Sequence, residues 1–182
     1  MELNEVAMPR RSVRNYKPDM PIGKEVIEEL VRFAQEAPSW KNTQTGRYYV
    51  LQEPSVIKEF MLVTLPEFNQ KSSENASALI ITTFETKISG FNREQVPDNE
   101  LGDMWGAYDL GLQNAYLILK ARELGLDTLI MGIRDADKIR EKLQIPESQQ
   151  IVAVIALGYN AGESLERPRR RDLEKVLKIY DK

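Results

Sequence analysis

The chain has 182 residues, with 42% hydrophobic and 29% charged residues and a formal net charge of −3 at pH 7. These values indicate one globular domain of ordinary size and argue against a general binder of nucleic acid or anionic membranes. Cysteine and histidine are both absent, which excludes disulfides, thiolate zinc sites, thiol nucleophiles, Ser-His-Asp hydrolases and H-E-x-x-H metalloproteases.

The predicted elements form a mixture of helices and strands. Apolar side chains that recur on one stripe predict an amphipathic helix, and short apolar, β-branched runs predict buried strands. In chain order the predictions are helix 23–37, loop 38–46, strand 47–52, helix 54–68 interrupted at Pro66, strand 78–84, irregular excursion 85–102, helix 103–124, strand 128–133, helix 135–146 and strand 151–159.

The helix predicted at 103–124 has unusual features. Asp103 is a candidate N-cap and Gly125 a candidate C-terminal stop. Its apolar residues run nearly all the way round, which predicts burial on several sides. Gly106 and Gly111 would destabilise an exposed helix but permit close backbone approach. We therefore expect this helix in the core or at a subunit interface.

Neither a secretion signal nor a membrane span is expected from the sequence. The opening MELNEVAM lacks the basic-then-apolar pattern of a secretion signal, and the longest apolar run, 151–157, is too short to span a bilayer. A cytoplasmic protein is therefore expected. The tail 160–182 starts as a polar linker and regains apolar spacing at Leu173 to Ile179, so we expect it to dock on its own domain or on a partner.

Two basic clusters lie near opposite ends of this acidic chain: RRSVRNY at residues 10–16, and RPRRR at residues 167–171. Guanidinium forks beside a serine hydroxyl suit a phosphate dianion, and each charge-assisted hydrogen bond contributes roughly 1.5–3 kcal/mol. The alternative is that both clusters are solvated basic faces. Neither G-x-G-x-x-G nor G-x-x-x-x-G-K-[ST] occurs, so a glycine-rich phosphate loop is not expected.

Several motifs together resemble the nitroreductase family of FMN-dependent oxidoreductases. The run RRSVRNYKPDMPIGKEVIEELVRFAQEAPSWKNTQ is similar to the family's R-R-S-x-R-x-[FY], amphipathic helix and A-P-S-x-x-N-x-Q. The run GAYDLGLQNAYLILKARELGLDTLIMG is similar to its central helix and following strand, and IVAVIALGY with a basic stretch to its end. The resemblance covers nearly the whole chain.

The resemblance implies an α+β, nitroreductase-like fold, with a central, mostly antiparallel sheet flanked by helices in an intertwined homodimer. Residues 1–160 are implied to form the FMN-binding domain. Residues 161–182 are implied to be a C-terminal extension that docks on the partner subunit.

The resemblance also implies where FMN binds. Its phosphate and the polar edge of its flavin are held by the first basic cluster, at Arg10, Arg11, Ser12 and Arg14. Arg170 or Arg169 is implied to reach the same phosphate.

The flavin ring is implied to contact a loop of the other subunit, at Pro38, Ser39, Trp40 and Asn42. Asn69 matches a contact to the pyrimidine edge, and Met131 and Gly132 match a strand end whose backbone N–H donates to N5. From the residues alone, Pro38 and Ser39 could merely end a helix. Likewise, Asn69 could be a loop amide and Gly132 a tight strand exit.

No catalytic side chain is implied, because hydride transfer belongs to the cofactor and the protein supplies orientation, electrostatics and access. Arg14, with Lys71 second, is implied to stabilise the negative charge of the reduced flavin near N1 and O2. The implied reaction is ping-pong transfer from NADH or NADPH to a nitroaromatic, quinone or similar small acceptor. No metal, nucleic acid or membrane partner is expected.

Two alternatives stay open at this point. The chain could be a specialised family member that carries out reductive dehalogenation or flavin fragmentation, or a non-enzymatic module that binds phosphate. Relatives usually have Pro-Trp where this chain has Thr45-Gly46, and Pro9 before Arg10 is also less usual. The excursion at 85–102, with Phe91 and Trp105 near it, is expected to shape the substrate pocket.

Overall fold

The computed structural model of the chain describes residues 2–163 and 166–181. Helices and strands follow the predicted order after a short N-terminal helix. The helices are α1 (Leu3–Ala7), α2 (Lys24–Gln35), α3 (Pro54–Thr64), α4 (Glu67–Ser72), α5 (Met104–Glu123) and α6 (Ala136–Leu143), and the strands are β1 (Gly46–Leu51), β2 (Ala78–Glu85), β3 (Asp127–Met131) and β4 (Gln149–Gly158). Single 3₁₀ turns occupy Trp40–Asn42 and Leu173–Lys175.

The strands form a four-stranded antiparallel sheet in the order β1-β2-β4-β3. β2 and β4 lie at its centre, and both are buried along nearly their whole length. A β-bulge between Thr82 and Thr83 shifts the register of β2 against β4. The predicted antiparallel sheet flanked by helices is therefore confirmed.

Each face of the sheet carries its own hydrophobic core, because successive side chains of a strand point to opposite faces. On one face Ile81 packs in a cluster with Phe60 of α3, which α6 completes. On the other face Ile80 packs in a cluster with Leu30 of α2 and Leu117 of α5. The result is a helix–sheet–helix layering, with α5 between the sheet and α2.

Helix α5 is buried along one stripe, which consists of Gly106, Asp109, Leu110, Gln113, Asn114, Leu117 and Ala121. A Cβ on Gly106 would lie 2.3 Å from the Phe84 ring, so this glycine permits the close approach predicted for it. Met104 and Tyr108 are more than half exposed. The prediction that α5 is buried on several sides is therefore wrong within a single chain.

The ends of two predicted helices differ in detail from expectation. Pro66 interrupts the helix predicted at 54–68, and the chain resumes as α4 because Pro66 takes the N-cap position of that helix. Asp103 occupies the N-cap position of α5, but its Oδ1 accepts from the backbone N of Lys87 at 2.6 Å and does not cap the helix. Gly125 ends α5 with φ of 79°, as predicted.

The tail leaves the body of the domain after β4. The backbone N of Ala161 donates to Asn15 O at 3.0 Å, and residues 166–181 are exposed. Leu173, Ile179 and Tyr180 are 68%, 76% and 87% exposed. These apolar side chains therefore do not dock on their own domain, and docking on a partner stays a prediction.

Within residues 2–163 and 166–181, none of the helices combines the length and the apolar character that a membrane span requires.

Candidate functional site

The basic segment, residues 10–16, contacts the outer edge of β3 at Thr128 and then passes to the end of β4, where Tyr16 bridges Asn160. Ser12 forms a parallel bridge with Thr128, and the backbone N of Val13 donates to Thr128 O at 3.0 Å. Val13 and Tyr16 are buried in the core, where the Tyr16 hydroxyl donates to Val13 O at 3.0 Å and burial raises the pKa of that phenol. These two apolar anchors fix the segment, while Ser12 and Arg14 stay exposed.

The arginines of the basic segment have different surroundings. Arg14 Nη1 donates to Ser12 O at 3.1 Å, which folds its guanidinium back over the serine. Arg11 Nη1 donates to Met8 O at 2.7 Å and to Arg10 O at 2.9 Å, so it braces the turn that precedes the segment. Arg14 therefore presents its charge beside Ser12 on the surface, whereas Arg10 is half-buried and its charge acts on Asp127.

A buried acid lies close to this positive charge. Asp127, the first residue of β3, is 6% exposed, and Arg122 Nη1 donates to its two carboxylate oxygens at 3.0 and 3.1 Å. Burial raises the pKa of the Asp127 carboxyl above its usual value, while the charges of Arg122 and Arg10 oppose that shift. The basic segment is thus neighboured by an acid that compensates part of its charge.

The other end of β3 meets α4. Asn69 is buried in α4, and its Nδ2 donates to Ile133 O at 2.8 Å. The structure therefore brings Asn69 together with the strand end at Met131 and Gly132, and the alternative that Asn69 is a loop amide is wrong. Gly132 is exposed, and a Cβ placed on it would meet no atom within 4 Å among the residues described.

Lys71 does not join this strand end. Residues two apart on a helix do not share a face, so Lys71 points away from the side of α4 that carries Asn69. It lines a cleft between α3 and α4 with Ile57, Met61 and Glu67. The roles expected for Arg14 and Lys71 at the flavin ring stay predictions.

The loop at residues 38–44 lies elsewhere, at the N-terminal part of α5. The backbone N of Trp40 donates to Asp109 Oδ2 at 2.9 Å, and the Trp40 ring lies 4.6 Å from the Trp105 ring. Ser39 Oγ accepts from the backbone N of Gln44 at 3.1 Å. Pro38 and Ser39 do follow the end of α2, but the loop also has its own internal structure.

Within one chain, loop 38–44 and the basic segment are far apart. The loop is bonded to Asp109, whereas Arg10 lies near the ion pair of Asp127 with Arg122. Asp109 and Arg122 are 13 positions apart on α5, which corresponds to about 20 Å at 1.5 Å per residue. The two groups of one chain therefore lie at opposite ends of this helix.

The second basic cluster approaches the first through Arg167. Its Nη1 lies 3.7 Å from the Sδ of Met8, two residues before Arg10. Arg169 pairs with Asp172 at 3.4 Å, and Arg170 Nη1 donates to Pro168 O at 3.1 Å. The clusters are therefore neighbours, but Arg169 and Arg170 contact only their own tail among the interactions seen here, and their phosphate role stays a prediction.

Thr45 and Gly46 have a structural explanation. Thr45 is buried, and its carbonyl accepts from the backbone N of Glu85 at 3.0 Å. A Cβ on Gly46 would lie 1.9 Å from Gln113 Oε1, which shows that the Gln113 side chain fills this space. Gln113 Oε1 also accepts from the Tyr48 hydroxyl at 3.3 Å. Gln113 thus packs where a side chain at position 46 would lie.

Asp109 and Ser89, which are 2% and 1% exposed, were not predicted as site residues from the sequence. Asp109 Oδ2 accepts from the backbone N of Trp40 and from Ser89 Oγ. An available signal was the position of Asp109 within the stripe of α5 that faces the core, where a carboxylate requires hydrogen-bond donors.

The chain is thus an α+β protein in which two sets of polar groups lie at the β3 edge of the sheet. The exposed hydroxyl and guanidinium donors of Ser12 and Arg14 form one set, and the strand end that Asn69 contacts forms the other. The chain belongs to the nitroreductase family, whose model matches residues 7–79 and 65–159. A relative from Archaeoglobus fulgidus, named as an NADH dehydrogenase/NAD(P)H nitroreductase, is 30% identical over 158 residues, which cover 85% of this chain and 83% of the relative.

Solved structures agree on the fold. A nitroreductase family protein from Streptococcus pneumoniae superposes with a TM-score of 0.82 at 18% identity, covering 98% of this chain and 100% of the other. A nitroreductase from Exiguobacterium sibiricum, solved in complex with FMN, superposes with a TM-score of 0.81 at 22% identity, covering 99% and 98%. The predicted family, fold and enzyme class, an oxidoreductase, are confirmed.

Proposed function

We propose that the chain is an FMN-dependent NAD(P)H oxidoreductase that works as a homodimer and reduces a nitroaromatic, quinone or similar acceptor in a ping-pong reaction. The observation that carries the proposal is the basic segment bridged to β3, with exposed donors beside a strand whose far end meets Asn69. The names of the relatives support it, since one includes NADH and NAD(P)H and one solved structure holds FMN.

The residues of the basic segment fit a phosphate. Arg10, Ser12 and Arg14 supply two guanidinium forks and a hydroxyl on one surface, a donor set suited to a dianion. Arg11 contributes by holding the turn through Met8 O, and Arg169 or Arg170 would have to swing towards the site from the tail.

The resemblance to the family divides the work among the residues of the segment, with Arg10 and Ser12 suited to the phosphate and Arg14 to the ring. Ser12 lies beside Thr128 of β3, and beyond it the segment passes to the end of β4, where Tyr16 bridges Asn160. About 13 Å of strand separates Thr128 from Gly132, at 3.3 Å per residue, which leaves room for a ribityl chain.

The strand end fits the flavin ring. Gly132 exposes its backbone beside open space, and Met131 and Asn69 flank it. FMN, when bound, supplies hydride transfer at N5, first from NAD(P)H and then to the acceptor. The protein's part is to orient the ring, to stabilise negative charge on it with Arg14, and to limit the access of water.

The homodimer is supported by surfaces that one chain leaves uncovered. Loop 38–44 cannot reach the basic segment of its own chain, as the 20 Å separation along α5 indicates. Gly111 lies in the middle of α5, is exposed, and has no atom within 4 Å of an added Cβ among the described residues, so it permits close approach of another chain. The exposed Leu173 and Ile179 fit a tail, residues 161–182, that docks on the partner beyond the domain formed by residues 1–160.

One visible absorption spectrum tests the proposal. We expect the purified protein to be yellow, or to become so on incubation with FMN, with one FMN per chain and bleaching on anaerobic addition of NADH or NADPH. Size-exclusion chromatography with light scattering should give twice the mass of one chain. A protein that stays colourless after incubation with FMN would refute the proposal.

A further inference from the structure

Loop 38–44 has a strained backbone. Lys41, Asn42 and Gln44 have φ of 46°, 58° and 50°, in the left-handed region that residues other than glycine rarely adopt. Such conformations persist only where surrounding contacts fix them, and they concentrate at functional sites. The contacts that fix this loop are therefore informative.

A single buried carboxylate is central to those contacts. Asp109 is 2% exposed, and its Oδ2 accepts from the backbone N of Trp40 at 2.9 Å and from Ser89 Oγ. Ser89 Oγ in turn accepts from Thr43 Oγ1 at 3.3 Å. The carboxylate thus joins the loop on one side to the excursion at residues 86–103 on the other.

The excursion holds the loop by further contacts around Asp109. Lys41 Nζ pairs with Asp98 at 2.7 Å. The Trp40 ring packs at 4.6 Å on Trp105 of α5, and Trp105 Nε1 donates to Asn99 Oδ1 in the excursion at 2.9 Å. Loop and excursion are therefore joined to each other and to the start of α5, and Asp109 of that helix contacts both from within the core.

A carboxylate is a costly choice for a purely structural turn, because a buried charge is stable only when hydrogen-bonded or paired. The two donors from Trp40 and Ser89 meet that requirement. Charge-assisted bonds are stronger and more directional than neutral ones, so Asp109 fixes the relative position of the two segments more tightly than a serine or threonine would.

We propose that Asp109 is a positioning residue that presents loop 38–44 and the Trp40–Trp105 pair as a preformed wall against the flavin and acceptor of the partner subunit. The inference rests on the proposed function, in which this loop packs on the FMN of the other chain. Asp109 itself touches neither cofactor nor acceptor. It acts through the loop, so its loss should affect the ring side of the site and spare the basic segment.

The test compares Asp109→Ala with Glu123→Gln, which alters another acid of the same helix, one that pairs with Lys120 at 2.7 Å. The first readout is the near-ultraviolet circular dichroism of the apoprotein, which reports the packed Trp40–Trp105 pair without FMN. The second is steady-state kinetics with a quinone, together with FMN affinity. For Asp109→Ala we expect loss of the tryptophan signal and a rise of about tenfold in the quinone KM and the FMN Kd, the equivalent of one lost hydrogen bond. Glu123→Gln should change neither.

The two proposals can fail separately. If the wild type binds no FMN, the proposed function fails, whereas the tryptophan signal still decides whether Asp109 positions the loop. If Asp109→Ala keeps the wild-type signal, KM and FMN affinity, the inference is overturned. Should Asp109→Ala not fold, Asp109→Asn and Ser89→Ala decide: a partial loss of the signal with raised KM supports the role, and unchanged values overturn it.

Discussion

The basic segment and loop 38–44 are built on opposite principles, although we propose that they serve one ligand. The basic segment is held by its backbone and by Val13 and Tyr16 in the core, so Ser12 and Arg14 remain exposed. Loop 38–44 is held by side chains around Asp109 and has three left-handed residues. The basic segment presents exposed charge on an anchored backbone, whereas loop 38–44 presents a surface whose backbone is fixed by side-chain contacts.

The basic segment is therefore expected to determine how tightly an anion binds, whereas loop 38–44 determines the shape of the surface that the ligand meets. Exposed arginines attract and bind an anion with little prior ordering, because their forked donors adapt to it. A loop whose conformation is already fixed before the ligand arrives loses less conformational entropy when the ligand binds. We therefore expect changes in the basic segment to affect FMN binding most, and changes at the glycines of α5 to affect folding and assembly.

The largest effect should come from the arginines of the basic segment. Removing one charge-assisted bond to phosphate is worth roughly 1.5–3 kcal/mol, so Arg10→Ala should weaken FMN binding by about 10- to 100-fold. Arg14→Ala should weaken it less and slow flavin reduction more. Isothermal titration calorimetry and stopped-flow reduction by NADPH measure the two quantities.

Arg32→Ala is the matched control for those arginines, because it removes the same charge from the surface of α2, where Arg32 pairs with Glu28 at 2.9 Å. It should leave FMN affinity unchanged. If Arg10→Ala kept full FMN affinity, the basic segment would be a solvated surface that does not bind FMN. Its proposed division of work with loop 38–44 would then be wrong.

The next effect concerns the two glycines of α5, the helix that separates the two regions. A Cβ on Gly106 would lie 2.3 Å from the Phe84 ring, so Gly106→Ala should lower the free energy of unfolding by about 1–3 kcal/mol through overpacking. Gly111→Ala meets no described atom and should not destabilise the subunit, since alanine favours helices. Urea unfolding measures both.

The same pair tests the dimer. If Gly111 permits close contact with a second chain, Gly111→Ala should weaken dimerisation in analytical ultracentrifugation while each subunit stays folded. Equal destabilisation of the subunit by both substitutions would contradict the assignment of Gly106 to the core and Gly111 to an interface.

The fold could be predicted well from the sequence where one pattern dominates. The stripe of α2 and the apolar runs of β2 and β4 fixed those elements to within a few residues. The continuation of the chain as α4 was missed, because Pro66 signals a break but the short, polar residues after it give little indication of a new helix. The sequence left two places open for α5, the core or a subunit interface, because apolar character does not distinguish the two.

The site could be predicted only as a set of residue types. The run of arginines indicated a phosphate, but its place beside β3 depends on the pairing of Ser12 with Thr128, which lies far away along the chain. The link from Asp109 to Trp40 is likewise a product of tertiary packing. Hydrogen bonds between distant segments leave no periodic signal in the sequence, and they decide which predicted residues meet.

Each region has a buried acid beside it, Asp127 at the basic segment and Asp109 at loop 38–44. The smallest expected effect is the pH dependence that Asp127 gives to the stability of the fold. Burial raises the folded pKa of Asp127 above the usual 3.8. A raised pKa means that the folded state binds protons more tightly than the unfolded state. The resulting stabilisation is therefore complete below pH 3.8 and is lost as pH rises through the folded pKa. Asp127→Asn should remove this loss, so its stability relative to the wild type should increase from pH 4 to pH 7.

Asp135 provides the opposite trend on the same domain, because its bonds to Lys138 lower its pKa and its stabilisation is lost as pH falls. Urea unfolding of wild type, Asp127→Asn and Asp135→Asn between pH 4 and pH 7 separates the two signs. Parallel pH profiles for Asp127→Asn and the wild type would show that Arg122 and Arg10 fully offset the burial of Asp127. In that case the charge of Asp127 beside the basic segment would be fully compensated, just as the carboxylate of Asp109 beside loop 38–44 is by its hydrogen bonds. The two regions would then differ only in the charge of Arg10 and Arg14.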